Sequence, residues 1–482
     1  MSQIPALSFR SALSATRECA PQSCHICDEA LSRIAVATDF AVRYGGVPAN
    51  GLPRNEDVVL YTRVEDAAVP VLLGLYGDRN RVRSWLPGLP RRTSRESVER
   101  LLASTKGPVQ VVRPPCQEQT KTANVDLMSL PVLQATPRDA GPYLTAGVVY
   151  ARDPQNDEIA LSVHRMLVLD GTHLTMWMVP GRRLRALCHE AVTRGERLPI
   201  SINIGAPPAA MIASALNTEF LPEGITKLDI AGALAGGPVT LAPAISQPTS
   251  VLAESEIVLE GYLAGAMADE CVGRRMRRST CPDVSLPEFL GYDGTAKTNL
   301  PVVTVTAMST RQSPLYQAII GPGREQSTIL GLAGALSVVL SEARYGGCVI
   351  GDLYFSPAGG GMLLLIVQVR KDSPEADTLL TRIGRRIFEH HPFVELIIFT
   401  DEDVNITSEE DVFWAVTTRA NLGTDCVTFS DFPRLAMDPS QREDWTVARG
   451  GNGLVGRTFI DATIPYRLRK SVSRSFPSMV ED

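Results

Sequence analysis

The chain has 482 residues, of which 44% are hydrophobic, and its formal net charge at pH 7 is −6. Length alone predicts two to four domains with a large core. The negative charge argues against a nucleic-acid partner, because phosphate contacts need a basic surface. The longest apolar run, from Met362 to Val367, is far shorter than the roughly 20 residues of a membrane span, and the N-terminus has no apolar signal-peptide core. We therefore expect a cytoplasmic protein without membrane or nucleic-acid partners.

Taken in chain order, residues 1–115 predict a small α/β domain. Strand-like runs occupy residues 57–61 and 68–73, and a helix is predicted over 94–104, where a serine cap precedes Glu96. The alternation of strand and helix in a segment this short is typical of a small layered domain.

Residues 116–310 consist mostly of predicted strands separated by glycine and proline. Hydrophobic and polar residues alternate over 200–204, as expected for a strand with one buried face, and one helix is predicted near 185–194. A mostly antiparallel barrel is the natural architecture for this block.

Residues 311–482 predict a second α/β domain. Helices are expected over 326–343 and 377–389, and continuous apolar strands over 362–369 and 394–400. This order predicts a parallel or mixed sheet covered by helices. The whole chain is therefore expected to be an α+β multidomain protein.

Common site motifs are missing from the sequence. Cys24 and Cys27 flank His25 with a spacing seen at zinc sites, but no second pair follows at the usual distance, so we expect no zinc. The glycine-rich phosphate loops and the G-x-S-x-G nucleophile elbow are also missing. The nine cysteines are odd in number and scattered, which predicts reduced thiols rather than a disulfide framework.

Three stretches of the middle block carry the remaining chemistry. They are residues 160–166, which read Ala-Leu-Ser-Val-His-Arg-Met, the turn Gly181-Arg182-Arg183-Leu184, and residues 227–234, which begin at Lys227. These stretches resemble the UbiD-type decarboxylases, which use prenylated FMN. The resemblance continues in the same order through residues 126–127, 204–208, 255–262, 313–320, 400–404 and 414–419.

The resemblance implies three domains: an N-terminal α/β domain, a central split β-barrel that binds the flavin, and a C-terminal α/β domain that often mediates oligomerisation. It also implies non-oxidative decarboxylation of an α,β-unsaturated or aromatic carboxylic acid, with prenylated FMN provided by a flavin prenyltransferase. We expect a homodimer. The residues that the resemblance assigns to cofactor binding are Ala160, Leu161, Ser162, Val163, His164, Arg165, Arg182, Arg183 and Lys227.

Three of these positions depart from the family patterns, which run roughly N-x4-R, G-R-H and E-x3-A-G. In the family, the Asn, His and Glu hold manganese and potassium at the cofactor phosphate. Here Ala160 offers no ligand atom, and Arg183 and Lys227 cannot donate a lone pair while protonated. We therefore expect no metal. Arg183 would hold the phosphate with a bidentate fork and Lys227 with a point charge, with Arg182 as a third cation.

Family chemistry also uses an arginine and two carboxylates in a segment shaped like E-G-P-F-G-E. Arg165 matches the arginine and Glu270 the first carboxylate, whereas Arg275 falls where the second carboxylate would be. Glu270 would then be both the partner of Arg165 and the proton donor, with Asp269 as the alternative acid.

These departures suggest a specialised branch of the family, such as one that forms a terminal alkene in natural-product biosynthesis. Two other functions stay open. A catalytically silent assembly subunit would also tolerate the lost ligands, and a conventional flavoprotein would use unmodified FMN for redox chemistry.

Overall fold

The computed structural model describes residues 7–45, 55–271, 285–343, 350–435, 437–450 and 455–475. The expected position of Arg275 lies outside the described residues. The contacts divide the chain into two compact units. The first, called unit 1, contains residues 1–89 and 101–326, and the second, unit 2, contains residues 90–100 and 327–482. The boundary predicted at residue 115 lies inside unit 1 and stays a prediction.

The described helices occur in both units. In the described part of the chain, no helix combines the length and the apolar character that crossing a membrane requires. The α-helices are α1 (Phe9–Cys19), α2 (Arg33–Tyr44), α3 (Arg79–Trp85), α4 (Arg95–Ala103), α5 (Arg183–Thr193), α6 (Pro208–Ser214), α7 (Lys227–Ala235), α8 (Arg324–Ala343), α9 (Glu375–His390), α10 (Glu409–Arg419) and α11 (Glu443–Ala448).

Most of the strands belong to unit 1. Up to the end of the central block, the strands are β1 (Cys24–Leu31), β2 (Val58–Val64), β3 (Val71–Leu73), β4 (Val109–Gln110), β5 (Gln119–Lys121), β6 (Tyr143–Leu144), β7 (Val148–Arg152), β8 (Ile159–Val163), β9 (Met166–Leu167), β10 (His173–Thr175), β11 (Leu198–Ile204), β12 (Thr240–Pro243), β13 (Ser250–Leu252), β14 (Ile257–Ala268), β15 (Ser285–Pro287), β16 (Asp293–Thr295), β17 (Leu300–Thr310) and β18 (Tyr316–Gln317). The later strands are β19 (Ile350–Phe355), β20 (Leu364–Val369), β21 (Leu396–Asp401), β22 (Cys426–Phe429) and β23 (Arg457–Ala462).

The N-terminal sheet has the order β1-β2-β3-β18. The predicted strands at 57–61 and 68–73 are confirmed as β2 and β3, and the helix predicted over 94–104 as α4. The Ser94 hydroxyl accepts a hydrogen bond from the Ser97 amide at 3.3 Å, which caps the start of α4. Strand β18 follows the central block in sequence but pairs in parallel with β3, so the chain returns to the N-terminal sheet.

The central sheet has seven strands in the order β10-β17-β14-β11-β7-β8, with β5 paired to β17. Every pairing is antiparallel, as predicted. Among the described strands, the path stays open from β10 to β8, so the split β-barrel predicted for this block is not confirmed. The helix predicted near 185–194 is confirmed as α5.

Strand β11 lies at the centre of this sheet, and all seven of its residues are buried. The expectation of one exposed face is therefore wrong, because its polar side chains are hydrogen-bonded inside the protein. The Ser201 hydroxyl donates to the Ser250 carbonyl at 2.7 Å. The Asn203 amide donates to the Val148 carbonyl and accepts from the Leu252 amide, at 3.0 and 2.8 Å. Satisfied polar groups of this kind can be buried without a large penalty.

Strand β14 is twelve residues long and pairs with both β11 and β17. Its register with β17 shifts between Glu260 and Gly261, where a Cβ atom on Gly261 would lie 2.2 Å from the Thr304 carbonyl oxygen. Only glycine permits this close approach of two backbones. The strand ends at Ala268, two residues before Glu270.

The sheet of unit 2 has the order β19-β20-β21-β23-β22. The β20–β21 and β21–β23 pairs are parallel, and the two outer pairs are antiparallel, so the mixed sheet predicted for this region is confirmed. The predicted helices and strands correspond to α8, β20, α9 and β21. This layered α/β architecture is the one expected from the sequence.

The described cysteines differ in their chemistry. Six of them, Cys19, Cys24, Cys27, Cys116, Cys188 and Cys426, are free thiols. Cys271 is disulfide-bonded. The expectation of reduced thiols throughout is therefore wrong at this position.

Candidate active site

The backbone between β8 and β9 positions two adjacent side chains, His164 and Arg165. The Trp177 amide donates to the Arg165 carbonyl at 3.2 Å, and the Trp177 carbonyl lies 2.9 Å from His164 Nδ1. One residue, Trp177, therefore orients the His164 ring and anchors the backbone of Arg165.

Arg165 forms a bidentate ion pair with Glu270. Its Nε and one terminal nitrogen donate to the two carboxylate oxygens at 3.0 and 2.9 Å. The side chain of Glu270 is fully buried, and that of Arg165 is 17% exposed. The backbone of Lys297 holds Glu270 on the other side, because its amide donates to Glu270 Oε2 at 2.7 Å. The pair is therefore part of the interior rather than a surface ion pair.

A second carboxylate also binds Arg165. The other terminal nitrogen of the guanidinium donates to Oε1 of Glu288 at 2.8 Å. Glu288 lies in the turn of the β15–β16 hairpin, where its amide donates to the Tyr292 carbonyl at 2.9 Å. The expectation that a single carboxylate serves Arg165 is therefore wrong.

Sequence reasoning missed Glu288 because the family pattern puts its second carboxylate within a few residues of the first. Here the chain reaches Arg165 a second time through a separate hairpin. The available signal was weak: a glutamate directly after Pro287 and ahead of a glycine turn, a pattern that many surface hairpins share.

The two carboxylates are held differently. The oxygens of Glu270 accept three hydrogen bonds, two from Arg165 and one from Lys297. Oε1 of Glu288 accepts one, and its Oε2 accepts none from a described residue. Burial lowers the pKa of Arg165, but Glu270 and Glu288 outweigh that effect and raise it overall, so the guanidinium stays charged.

Asp269, the alternative acid, has a different partner. Its carboxylate accepts a hydrogen bond from the Asn299 amide at 2.7 Å. Of the two neighbouring acids, Glu270 is therefore the one that contacts Arg165.

A buried cation, Lys227, is hydrogen-bonded to the backbone of β8. Lys227 is the first residue of α7 and is 9% exposed. Its ammonium group donates to the carbonyls of Leu161 and Ser214 at 2.9 and 2.8 Å. Burial, followed by the positive charge of Arg182, lowers the pKa of Lys227 to about 7. No carboxylate of the described residues contributes to this shift, and the third N–H remains available.

Helix α7 holds Lys227 in place. Thr226 and Asp229 form a capping box at its N-terminus, which satisfies two backbone donors there. Gly232 lies against Lys106, where a Cβ atom would be 2.3 Å from the carbonyl oxygen. The start of the helix is thus fixed by its cap and its middle by close backbone packing.

His164 is a neutral neighbour of this cation. Since the Trp177 carbonyl can only accept, Nδ1 carries the hydrogen, and Nε2 is left to accept from the Ser162 hydroxyl at 2.8 Å. Burial and the charges of Lys227 and Arg182 lower the pKa of His164 to about 4, despite the opposing hydrogen bond to Trp177. The imidazole is therefore uncharged at neutral pH.

Arg182 completes the cation cluster, which we define as Lys227, Arg182 and the neutral His164. Burial lowers the pKa of Arg182, and no carboxylate of the described residues counteracts this effect. The two positive charges influence each other and His164. A site with two partly desolvated cations and no anion of its own attracts an anionic ligand.

The remaining predicted residues lie around this cluster without adding charge to it. Arg183 forms ion pairs with Glu158 and with Glu190, the latter at 3.7 Å, so Arg182, not Arg183, is the arginine close to Lys227. Ala160 is buried in β8, where it pairs with Ala151. In the same strand, Leu161 provides the carbonyl to Lys227, Ser162 the hydroxyl to His164, and Val163 ends the strand.

None of the positions that the sequence resemblance assigns to the family's metal ligands offers a free donor atom. Ala160 has none, Arg183 is in ion pairs, and the bound ammonium group of Lys227 donates rather than accepts. Within the described ranges, no three His, Cys, Asp or Glu side chains converge as a metal site would require.

Comparison with known proteins identifies the family. A family model described as the 3-octaprenyl-4-hydroxybenzoate carboxy-lyase Rift-related domain (UbiD) matches residues 108–325. The C-terminal domain model of the same carboxy-lyase matches residues 328–462. The chain belongs to the UbiD family. The resemblance found in the sequence is therefore confirmed, and the protein is a UbiD-family carboxy-lyase.

Individual relatives agree with this classification. The gallate decarboxylase of Lactiplantibacillus plantarum is 31% identical over 342 residues, which cover 70% of this chain and 69% of that protein. The apo structure of 3,4-dihydroxybenzoic acid decarboxylase from Enterobacter cloacae is 28% identical, with a TM-score of 0.84 over 98% of this chain and 97% of that one. An evolved dimeric form of the UbiD-class enzyme HmfF from Pelotomaculum thermopropionicum, solved in complex with prFMN, is 25% identical, with a TM-score of 0.78 over 99% of both chains.

Proposed function

We propose that this UbiD-family protein is a non-oxidative decarboxylase of an aromatic carboxylic acid and that it uses prenylated FMN. The observation that carries the proposal is the Arg165 guanidinium held between two carboxylates, Glu270 and Glu288. Arg165 directly follows His164 of the cation cluster, which has no anionic partner among the described residues. An acid–base centre beside an anion site suits an enzyme whose cofactor carries a phosphate.

The residues of the cation cluster fit the cofactor phosphate. Lys227 would donate its free N–H to a phosphate oxygen, and Arg182 would add a planar fork of donors. The neutral His164 would be held in position by Ser162 and Trp177. Manganese and potassium do not fit the positions that align with the family's metal ligands, because the donor atoms are missing. We therefore propose that the phosphate is bound without a metal, and that Arg183 serves α5 through its ion pairs with Glu158 and Glu190.

The residues around Arg165 would orient the substrate and move its proton. When bound, prenylated FMN supplies the electron sink that makes the loss of carbon dioxide possible. Two hydrogens of the Arg165 guanidinium remain free to bind the substrate carboxylate. Glu270, which accepts hydrogen bonds from three donors, keeps Arg165 in place. Glu288, with one oxygen free of described partners, would carry the proton that replaces the carboxylate. In this proposal Glu288 takes the role first expected of Glu270.

The names of the relatives favour one substrate class. The similar proteins named above act on gallate and on 3,4-dihydroxybenzoic acid, both of them hydroxylated aromatic acids. We therefore propose an aromatic acid of this class in preference to an unsaturated acid that yields a terminal alkene.

The proposal is tested by producing the protein together with a flavin prenyltransferase and, as a control, without it. We expect the mass of the released cofactor to be that of prenylated FMN and carbon dioxide to form from 3,4-dihydroxybenzoate or gallate only in the first preparation. A protein without flavin from either preparation would support the silent assembly subunit instead. Reduction of a bound, unmodified FMN by a nicotinamide would support the redox flavoprotein.

A further inference from the structure

The hydroxyl of Tyr143 has no hydrogen-bond partner among the described residues, although the residue is only 5% exposed. Burying a hydroxyl without a partner costs free energy, and most buried hydroxyls in folded proteins are bonded. A ligand that supplies the missing partner would account for such a group.

The position of Tyr143 connects it with the candidate active site. In the β6–β9 pair, Tyr143 lies directly opposite Leu167. Its side chain packs in one cluster with Leu167 and Leu286. Leu167 is two residues from Arg165, and Leu286 is two residues from Glu288. The phenol ring therefore lies between the two segments that carry the guanidinium and its second carboxylate.

The charges around Tyr143 indicate what kind of partner it can take. Burial, followed by the negative charge of Glu270, raises the pKa of Tyr143, so the phenol is neutral and can both donate and accept. A neutral hydroxyl of a ligand can donate to the phenol oxygen or accept from the phenol O–H, so it can satisfy Tyr143 without adding a charge beside Arg165, Glu270 and Glu288.

We propose that Tyr143 determines substrate specificity by forming a hydrogen bond with a ring hydroxyl of a phenolic carboxylic acid. This inference rests on the proposed function and names a recognition residue for it. The substrate hydroxyl replaces the partner that the protein does not provide, so an analogue without that hydroxyl leaves Tyr143 unsatisfied and binds less well.

The test replaces Tyr143 by phenylalanine in the holoprotein and compares 3,4-dihydroxybenzoate with benzoate. In the parent protein, calorimetry should show tighter binding of the dihydroxy acid. In Tyr143→Phe this preference should fall by about tenfold, the value of one neutral hydrogen bond, while benzoate binding stays unchanged. Because an unsatisfied hydroxyl is removed, the melting temperature of the ligand-free variant should be equal to or higher than that of the parent. Values of kcat/KM for the two acids should follow the binding data.

Tyr76 provides a matched control, because its hydroxyl is also buried and unpartnered among the described residues, yet it packs against Trp85 rather than near Arg165. Tyr76→Phe should leave the preference between the two acids unchanged. The proposal is overturned if the parent binds both acids equally, if Tyr143→Phe keeps the preference or weakens both acids alike, or if the variant melts lower than the parent. Since binding is measured apart from turnover, a protein that binds selectively but releases no carbon dioxide would reject only the proposed function.

Discussion

Replacing Lys227 by methionine should separate the cost of burying an ammonium group from its use in binding phosphate. Burial and the charge of Arg182 lower the pKa of Lys227 from its ordinary value of 10.5 to about 7. A difference of this size corresponds to about 5 kcal/mol of unfavourable free energy for the charged form, an upper limit for the folded protein. The ligand-free protein therefore carries a cost at Lys227 that methionine removes.

The sign of the pH dependence follows from the direction of the shift. Because the pKa of Lys227 is lower in the folded than in the unfolded protein, the unfolded chain binds more protons between pH 7 and about 10.5, and stability rises with pH over that window. Below pH 7 the whole cost is present. Methionine also gives up the two hydrogen bonds to Leu161 and Ser214, roughly 1 kcal/mol each. We therefore expect Lys227→Met to raise the free energy of unfolding by about 1 to 3 kcal/mol at pH 6, and by less at pH 9.

The assay combines urea unfolding at the two pH values with flavin titration followed by fluorescence. The affinity of Lys227→Met for FMN should fall by about 10- to 100-fold, the value of a charge-assisted hydrogen bond. Riboflavin, which has no phosphate, should bind the variant and the parent equally. Lys106→Met is the matched control, because Lys106 also donates to a carbonyl near α7, that of Gly236, but is exposed. A variant that is less stable at pH 6 and binds FMN as the parent does would refute this reasoning.

Two further predictions concern other carboxylates. Glu288→Gln should lower kcat by at least about 100-fold, the contribution typical of a general acid, while prenylated FMN stays bound. Glu270→Gln should instead weaken the placement of Arg165, so that KM rises as well. Equal turnover in Glu288→Gln and the parent would exclude Glu288 as the proton carrier. At the start of α8, burial raises the pKa of Glu56 to about 7, and burial with the charge of Glu56 raises that of Glu325 to about 8. Because both pKa values lie above those of glutamate in the unfolded chain, the stability of the protein should fall as the pH rises from about 4.5 to 8. Glu325→Gln should reduce this fall in thermal unfolding scans. A parent melting temperature that rises over that range would contradict the raised pKa values.

Much of the fold could be predicted because the signals are local. The serine cap of α4, the apolar runs of β20 and β21 and the periodicity of α8 depend on a few neighbouring residues. The burial of the polar side chains of β11 could not be predicted in this way. Its polar face is buried only because β7 and β13 provide carbonyls and an amide for Ser201 and Asn203, and those partners lie far away in sequence.

The same distinction applies to the candidate site. Arg165, Glu270 and Lys227 could be found from the family patterns because each lies in a recognisable stretch. Glu288 could not, since a separate hairpin brings it to Arg165. The two adjacent arginines illustrate the limit most clearly: nothing in a Gly-Arg-Arg turn distinguishes them, and the side chains of Glu158 and Glu190 decide that Arg183 is in ion pairs while Arg182 lies near Lys227.

Elemental analysis of the flavin-loaded protein tests the role of these cations most directly. If Lys227 and Arg182 bind the cofactor phosphate, the purified protein should contain phosphorus and flavin in equal amounts and no stoichiometric divalent metal. Dialysis against a chelator should leave its flavin content unchanged. One manganese ion per flavin, together with loss of flavin to the chelator, would contradict the account.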